Sequence, residues 1–247
     1  MTLIQSESGK RSYRYLPYII SIYSFFFILP SLLLHKIVNL PILGAVPISI
    51  LFTGIYFVLL DIVTEVYGYR QARALLLSGL VTYSIFVFIM EVILRIPSPQ
   101  NYHAAWSLGQ DPNVYIYLFN NLHLVWFSVV ICTLFANNLN AILLSKWKVL
   151  VQGKYFWIRS MTTSLMAAII YSTLSNFFAF GLFLSHFQTA YFFKLTLISI
   201  SAKLFTLFVF AYPSVIFCEL LKRKEGVDVY DHDLSFNPFK SQTIENL

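Results

Sequence analysis

The sequence predicts an all-α integral membrane protein, a bundle of about six transmembrane helices with both termini cytoplasmic. Three observations predict it. The chain is 58% hydrophobic and only 11% charged, whereas a soluble domain carries about 25% charged residues. Mean hydropathy is +0.71, and the apolar runs reach the roughly 20 residues that cross a bilayer core. The basic residues collect at the ends of alternate runs, the distribution that sets orientation in a lipid bilayer. That distribution also accounts for a pI of 9.2 without a nucleic-acid partner.

A cytoplasmic N-terminal segment, residues 1–15, holds Lys10, Arg11 and Arg14 and leads straight into an apolar run over 16–35. No small-residue cleavage site follows, so this run reads as a first span rather than a removable signal. The second run, 42–67, ends before Arg70 and Arg73, and the third covers 74–96. The connection from Pro97 to Asn113 contains Pro99, His103, Trp106, Gly109 and Pro112, which predicts a partly non-helical outer loop. The fourth span, 116–144, is followed by Lys146, Lys148, Lys154 and Arg159. The fifth covers 160–184 and the sixth 191–221, ending at Lys222, Arg223 and Lys224. The other side holds only Lys36, Arg95 and Lys194. Residues 16–224 therefore make one transmembrane helical domain, and the polar stretch 225–247 is a cytoplasmic C-terminal tail with too little apolar content to fold alone.

Polar residues inside these spans are the candidate functional groups, because a charge near the bilayer centre costs roughly 3 kcal/mol even on insertion scales. Asp61, Thr64, Glu65 and Gly68 lie on one helical face. Lys203, inside the sixth span, shares a stripe with Thr196, Ser199 and Thr206. It should face the bundle interior and meet an anion, for which Asp61 and Glu65 are the nearest candidates by type. A purely structural ion pair is the competing reading. Asn140, with Thr133 and Asn137, and Asn176, beyond the small residues Ser164, Ala168 and Ser172, offer amides to a ligand or to a neighbouring helix. Glu91 and Arg95 are spaced to pair with each other. Cys132 and Cys218 have no paired spacing and read as packing residues. His103 and His123 lack ligand-spaced companions, and no phosphate loop, serine elbow or zinc-protease motif occurs. No catalytic residue, metal site or cofactor is therefore assigned, and an enzyme is disfavoured.

The segment Asp61-Ile-Val-Thr-Glu65-Val-Tyr67-Gly68-Tyr-Arg70-Gln-Ala-Arg73 resembles the signature of the queuosine precursor transporter family, the vitamin uptake transporter group. The resemblance continues through Ser145 to Lys148, Gly153 to Arg159, Lys203, Pro213, and Leu221 to Asp231, with Phe236-Asn237-Pro238-Phe239 in the tail. It implies a multi-pass importer of the bacterial inner membrane, similar to the substrate-binding subunits of energy-coupling-factor transporters. The implied cargo is 7-cyano- or 7-aminomethyl-7-deazaguanine, salvaged for queuosine in tRNA. On this reading Asp61, Glu65, Asn140, Asn176 and Lys203 bind the substrate, while Tyr67, Gly68, Arg70 and Arg73 shape and anchor the cytoplasmic turn. The partners are that heterocycle and the lipid bilayer, with no direct nucleic acid. In one respect the chain departs from the family, which often carries an amide or acid and then an Asp three residues later in the fifth span. Ala168 and Tyr171 stand there instead. A vitamin-binding subunit that needs an ATPase module, and a non-transporting membrane scaffold, are the alternatives.

Overall fold

The computed structural model describes residues 13–40, 44–96, 114–183 and 189–231. The expected loop Pro97 to Asn113, most of the N-terminal segment and the tail beyond Asp231 lie outside the described residues. The elements are α1 (Leu16–Leu32), β1 (Ile37–Leu40), β2 (Gly44–Pro47), α2 (Ser49–Tyr67), α3 (Tyr69–Leu94), α4 (Val114–Phe119), α5 (Leu122–Cys132), a π-turn (Thr133–Asn137), α6 (Asn138–Leu150), α7 (Phe156–Phe183) and α8 (Thr189–Glu225). Since α5, the π-turn and α6 run on as one rod, Leu122–Leu150, the described residues form six main helices. Four are long and apolar enough to cross a membrane: α2, α3, this rod and the stretch Phe192–Glu225 of α8. The 17-residue α1 is a shorter apolar helix.

The boundaries differ from the sequence-based expectation where backbone chemistry overrides hydropathy. The second span was expected from residue 42, but β1 and β2 pair antiparallel there, with Leu40 opposite Gly44 and Ile37 opposite Pro47. Gly44, at φ +73°, supplies the left-handed turn residue that closes this hairpin. The expected gap between the second and third spans shrinks to one residue. Gly68, at φ 81° and ψ 174°, ends α2 and starts α3. An added Cβ there would lie 2.8 Å from Val229 Cγ1, so both conformation and space demand glycine. Arg70 and Arg73 consequently stand in the first turns of α3 rather than in a loop.

The most buried of the four candidate spans is α2, which packs against α1, α3, α6 and α8. Its contact with α8 is close because Gly54 faces Thr206, whose Cβ lies 2.4 Å from where a Gly54 Cβ would stand. Large apolar side chains such as Phe88 and Phe208 are exposed on the outer faces of α3 and α8, as contact with lipid tails requires. The start of the polar C-terminal stretch packs onto the bundle, with Val229 N–H donating to Val66 O at 3.3 Å.

Candidate functional site

The conspicuous acids of α2 are each enclosed by donors from their own bundle. Asp61 is 1% exposed. It accepts hydrogen bonds from Asn140 Nδ2 (2.6 Å), Ser160 Oγ (2.5 Å) and Ser164 Oγ (2.7 Å). The small residues that let α7 approach α2 thus also supply hydroxyls to its carboxylate. One turn on, Glu65 is equally buried and accepts from Arg159 Nη1 (3.0 Å) and Lys222 Nζ (2.7 Å). Lys148 Nζ stands 3.9 Å from Glu65 Oε1 and donates to the Glu65 backbone oxygen at 2.5 Å. Lys148 also pairs with Asp228, which bonds Lys222 at 3.0 Å. This network joins α2, α6, α7, α8 and the residues after α8.

Two further carboxylates cap helices at the same end. Glu225 accepts from the backbone N–H of Arg14 (3.2 Å) and Tyr15 (2.7 Å), and from Tyr67 Oη at 3.1 Å. Asp231 accepts from Tyr69 N–H (2.8 Å) and Ser145 Oγ (2.5 Å). Each places a negative charge at the start of α1 or α3, where free N–H groups and the helix dipole favour it. Asp228, outside the spans, is pushed up by burial, but bonds from Lys148 and Lys222 prevail and hold its carboxyl below the usual range.

A cavity of about 260 Å³ opens in the other half of the bundle. Its walls come from the end of α1, the start of α2, the middle of α3 and α5, the second half of α7 and the first half of α8. Phe27, Tyr56, Tyr83 and Tyr171 form an aromatic frame around it. Tyr56 tilts against Phe27 at 5.2 Å, and Tyr83 meets Phe27 edge-on at 6.0 Å. Ser128, Ser175, Asn176 and Ser199 add polar points. Lys203 is the only charged residue among the described residues lining the cavity. Its Nζ donates to Ser172 Oγ at 2.7 Å and lies 4.4 Å from the Tyr171 ring centroid. Tyr83 lines the same space, and its buried hydroxyl lies beside Ser31.

The five sequence-derived candidates therefore separate into two groups. Lys203 and Asn176 line the cavity, and Asn176 Nδ2 also donates to Thr196 Oγ1 at 3.0 Å. Asp61, Glu65 and Asn140 lie elsewhere, bonded as described. Between Tyr56 at the cavity and Glu65 there are nine residues of helix, about 13 Å. The expected meeting of Lys203 with Asp61 or Glu65 is absent, because Lys203 stands further from the α8 terminus and finds a serine and a ring face instead. Glu91 likewise meets His123 Nδ1 at 3.0 Å rather than Arg95. Tyr67, Gly68, Arg70 and Arg73 all sit at the α2–α3 turn, with Tyr67 buried and Arg70 exposed.

Sequence reasoning did not assign Lys148, Arg159, Lys222 and Asp228 to one network, nor single out Tyr56, Tyr83 and Ser128. Lys148 and Arg159 had one usable signal: each stands inside a short segment of the family resemblance. The aromatic frame had none, because its members are ordinary residues of apolar spans.

A family model described as "Putative vitamin uptake transporter" matches residues 47–217. Searches of curated proteins and of solved structures return no match. The matched region covers α2 to most of α8, including every cavity wall except the end of α1 and Leu34 just after it. The chain belongs to this vitamin uptake transporter family, and its apolar helices make it a multi-pass membrane protein with an uptake role.

Proposed function

We propose that this member of the vitamin uptake transporter family carries a small flat heterocycle across the bacterial inner membrane, and that the heterocycle is a queuosine precursor. The observation that carries the reading is the cavity, aromatic on its walls and polar at a few points, with Lys203 in its lining. Pockets of this make-up bind flat ligands by stacking and orient them with a few donors. A 7-deazaguanine presents a ring carbonyl that accepts from Lys203 or from the Asn176 amide N–H. Its ring N–H and NH₂ groups are donors for the Asn176 carbonyl oxygen and serine hydroxyls.

On this reading the acids of α2 act on the frame. The basic end is cytoplasmic by the positive-inside rule, and the Glu65 network closes that end while the cavity lies toward the outside. Asp61 and Asn140 lock α2, α6 and α7 between the two. Inward release then requires the network at Glu65 to loosen, since it ties four helices and the segment after α8 across the exit side.

The test is complementation in cells unable to make queuosine, supplied with external 7-cyano- or 7-aminomethyl-7-deazaguanine. Queuosine in tRNA is restored by this protein from at least the 7-cyano compound, and less by Lys203→Gln at equal membrane expression. No restoration by the wild-type chain overturns the cargo. Uptake only when ATPase partners are co-expressed identifies a binding subunit instead of a self-sufficient carrier.

A further inference from the structure

We propose that the cavity sorts its ligands by charge: it favours a heterocycle whose substituent is anionic, accepts a neutral one, and rejects the same heterocycle carrying an ammonium group. This deepens the 7-deazaguanine reading and rests on it. Three independent features of the cavity lead there.

First, the cavity holds a cation and no acid. Among the described residues that line it, Lys203 is charged and none is Asp or Glu. Second, the partners of Lys203 are neutral. Its Nζ donates to Ser172 Oγ at 2.7 Å and faces the Tyr171 ring at 4.4 Å. A serine oxygen and a ring quadrupole orient an ammonium without cancelling its charge. Lys203 is 4% exposed, so an anion that reaches it meets little screening by water and favours its protonated form, whereas a ligand cation does the opposite. An ammonium has three donors, and a ligand anion is the group that would complete both its hydrogen bonding and its charge. Third, the carboxylates of α2 and α3 are committed elsewhere, Glu91 of α3 to His123 at 3.0 Å. Asp61 already holds three donors and Glu65 already holds Arg159 and Lys222. Neither is available to move toward a ligand cation without leaving its own partners bare.

Tyr171 gives the arrangement its particular form. It presents a ring face to Lys203. A carboxylate at that place would neutralise the lysine and welcome a ligand ammonium; the phenol ring does neither.

The experiment uses the purified full-length chain in detergent and three 7-deazaguanines that differ only at position 7: a carboxylate, a nitrile and an aminomethyl group. Equilibrium binding at pH 7 should rank them in that order, with about tenfold or more between the first and the last, since like charges in a desolvated site repel strongly. Lys203→Gln should flatten the ranking, and Lys203→Arg should keep it. Aminomethyl binding as tight as carboxylate binding in the wild type overturns charge sorting while leaving the deazaguanine reading intact. A ranking that persists in Lys203→Gln also overturns it, because the charge would then come from elsewhere. If Lys203→Gln does not fold, Lys203→Met takes its place, and the wild-type ranking decides by itself. Failure of all three compounds to bind removes the deazaguanine reading and this inference with it.

Discussion

Replacing Glu65 by Gln separates a structural acid from a ligand-binding one. Glu65 is 1% exposed and holds Arg159 at 3.0 Å and Lys222 at 2.7 Å, with Lys148 at 3.9 Å. Removing one partner of a buried ion pair costs about 3 to 5 kcal/mol, chiefly because the other charge is left uncompensated. Two features place this case near the lower figure. Lys222 has a 23% exposed side chain and keeps Asp228 at 3.0 Å, so it can turn toward that carboxylate and water. The glutamine carbonyl oxygen also retains one neutral bond. Arg159, 3% exposed, keeps only the backbone oxygens of Lys154 and Gly153. A loss of about 3 kcal/mol lowers the midpoint by roughly 6 to 12 °C for a protein of this size. Thermal unfolding of the detergent-purified protein, followed by tryptophan fluorescence, measures it. Binding of 7-cyano-7-deazaguanine well below the new midpoint should match the wild type. A midpoint within about 2 °C of wild type, together with lost binding, refutes the assignment of Glu65 to the frame.

Other predictions concern separate parts of the fold. Asp228 has a folded-state carboxyl pKa below its ordinary value, so its stabilising contribution is complete above the unfolded value near 3.9 and fades as pH falls through the lower folded value. The midpoint gap between wild type and Asp228→Asn should therefore hold from neutral pH to about pH 5 and close below about pH 4. Gly54→Val should destabilise by about 1 to 3 kcal/mol, read in the same unfolding assay, because its Cβ would meet Thr206 Cβ at 2.4 Å. Asn176→Ala should leave the midpoint near wild type, since Asn176 is only half-buried. It should weaken 7-cyano-7-deazaguanine binding by about tenfold, the loss of one or two ligand hydrogen bonds.

Much of the bundle was legible because hydropathy reports it directly: each of the six expected spans overlaps a helix, and four of these helices are long and apolar enough to cross a membrane. The errors fell where local backbone chemistry decides. Hydropathy cannot see that Gly44 closes a hairpin before α2, or that Gly68 turns α2 into α3 in one residue. The site was legible only in part. Lys203 and Asn176 stood out as polar groups deep in apolar spans, and both line the cavity. Asp61 and Glu65 stood out for the same reason, yet they are bonded within the frame. Composition marks that a buried charge has a purpose and not whether its partner is a ligand or a helix. The partners that decide the matter, Arg159 and Lys222, lie about 94 and 157 residues from Glu65 in sequence. Short-range spacing cannot bring them together.

The central claim is that the ligand sits against Lys203 while the Asp61–Glu65 stripe holds the frame. Equilibrium binding of 7-cyano-7-deazaguanine to purified Lys203→Gln and Asp61→Asn, at a temperature where both are folded, tests it most directly. Lys203→Gln should lose about tenfold or more, in line with a hydrogen bond to a charged group, and Asp61→Asn should keep near wild-type affinity with a lowered midpoint. Unchanged affinity in Lys203→Gln with abolished binding in Asp61→Asn would contradict it.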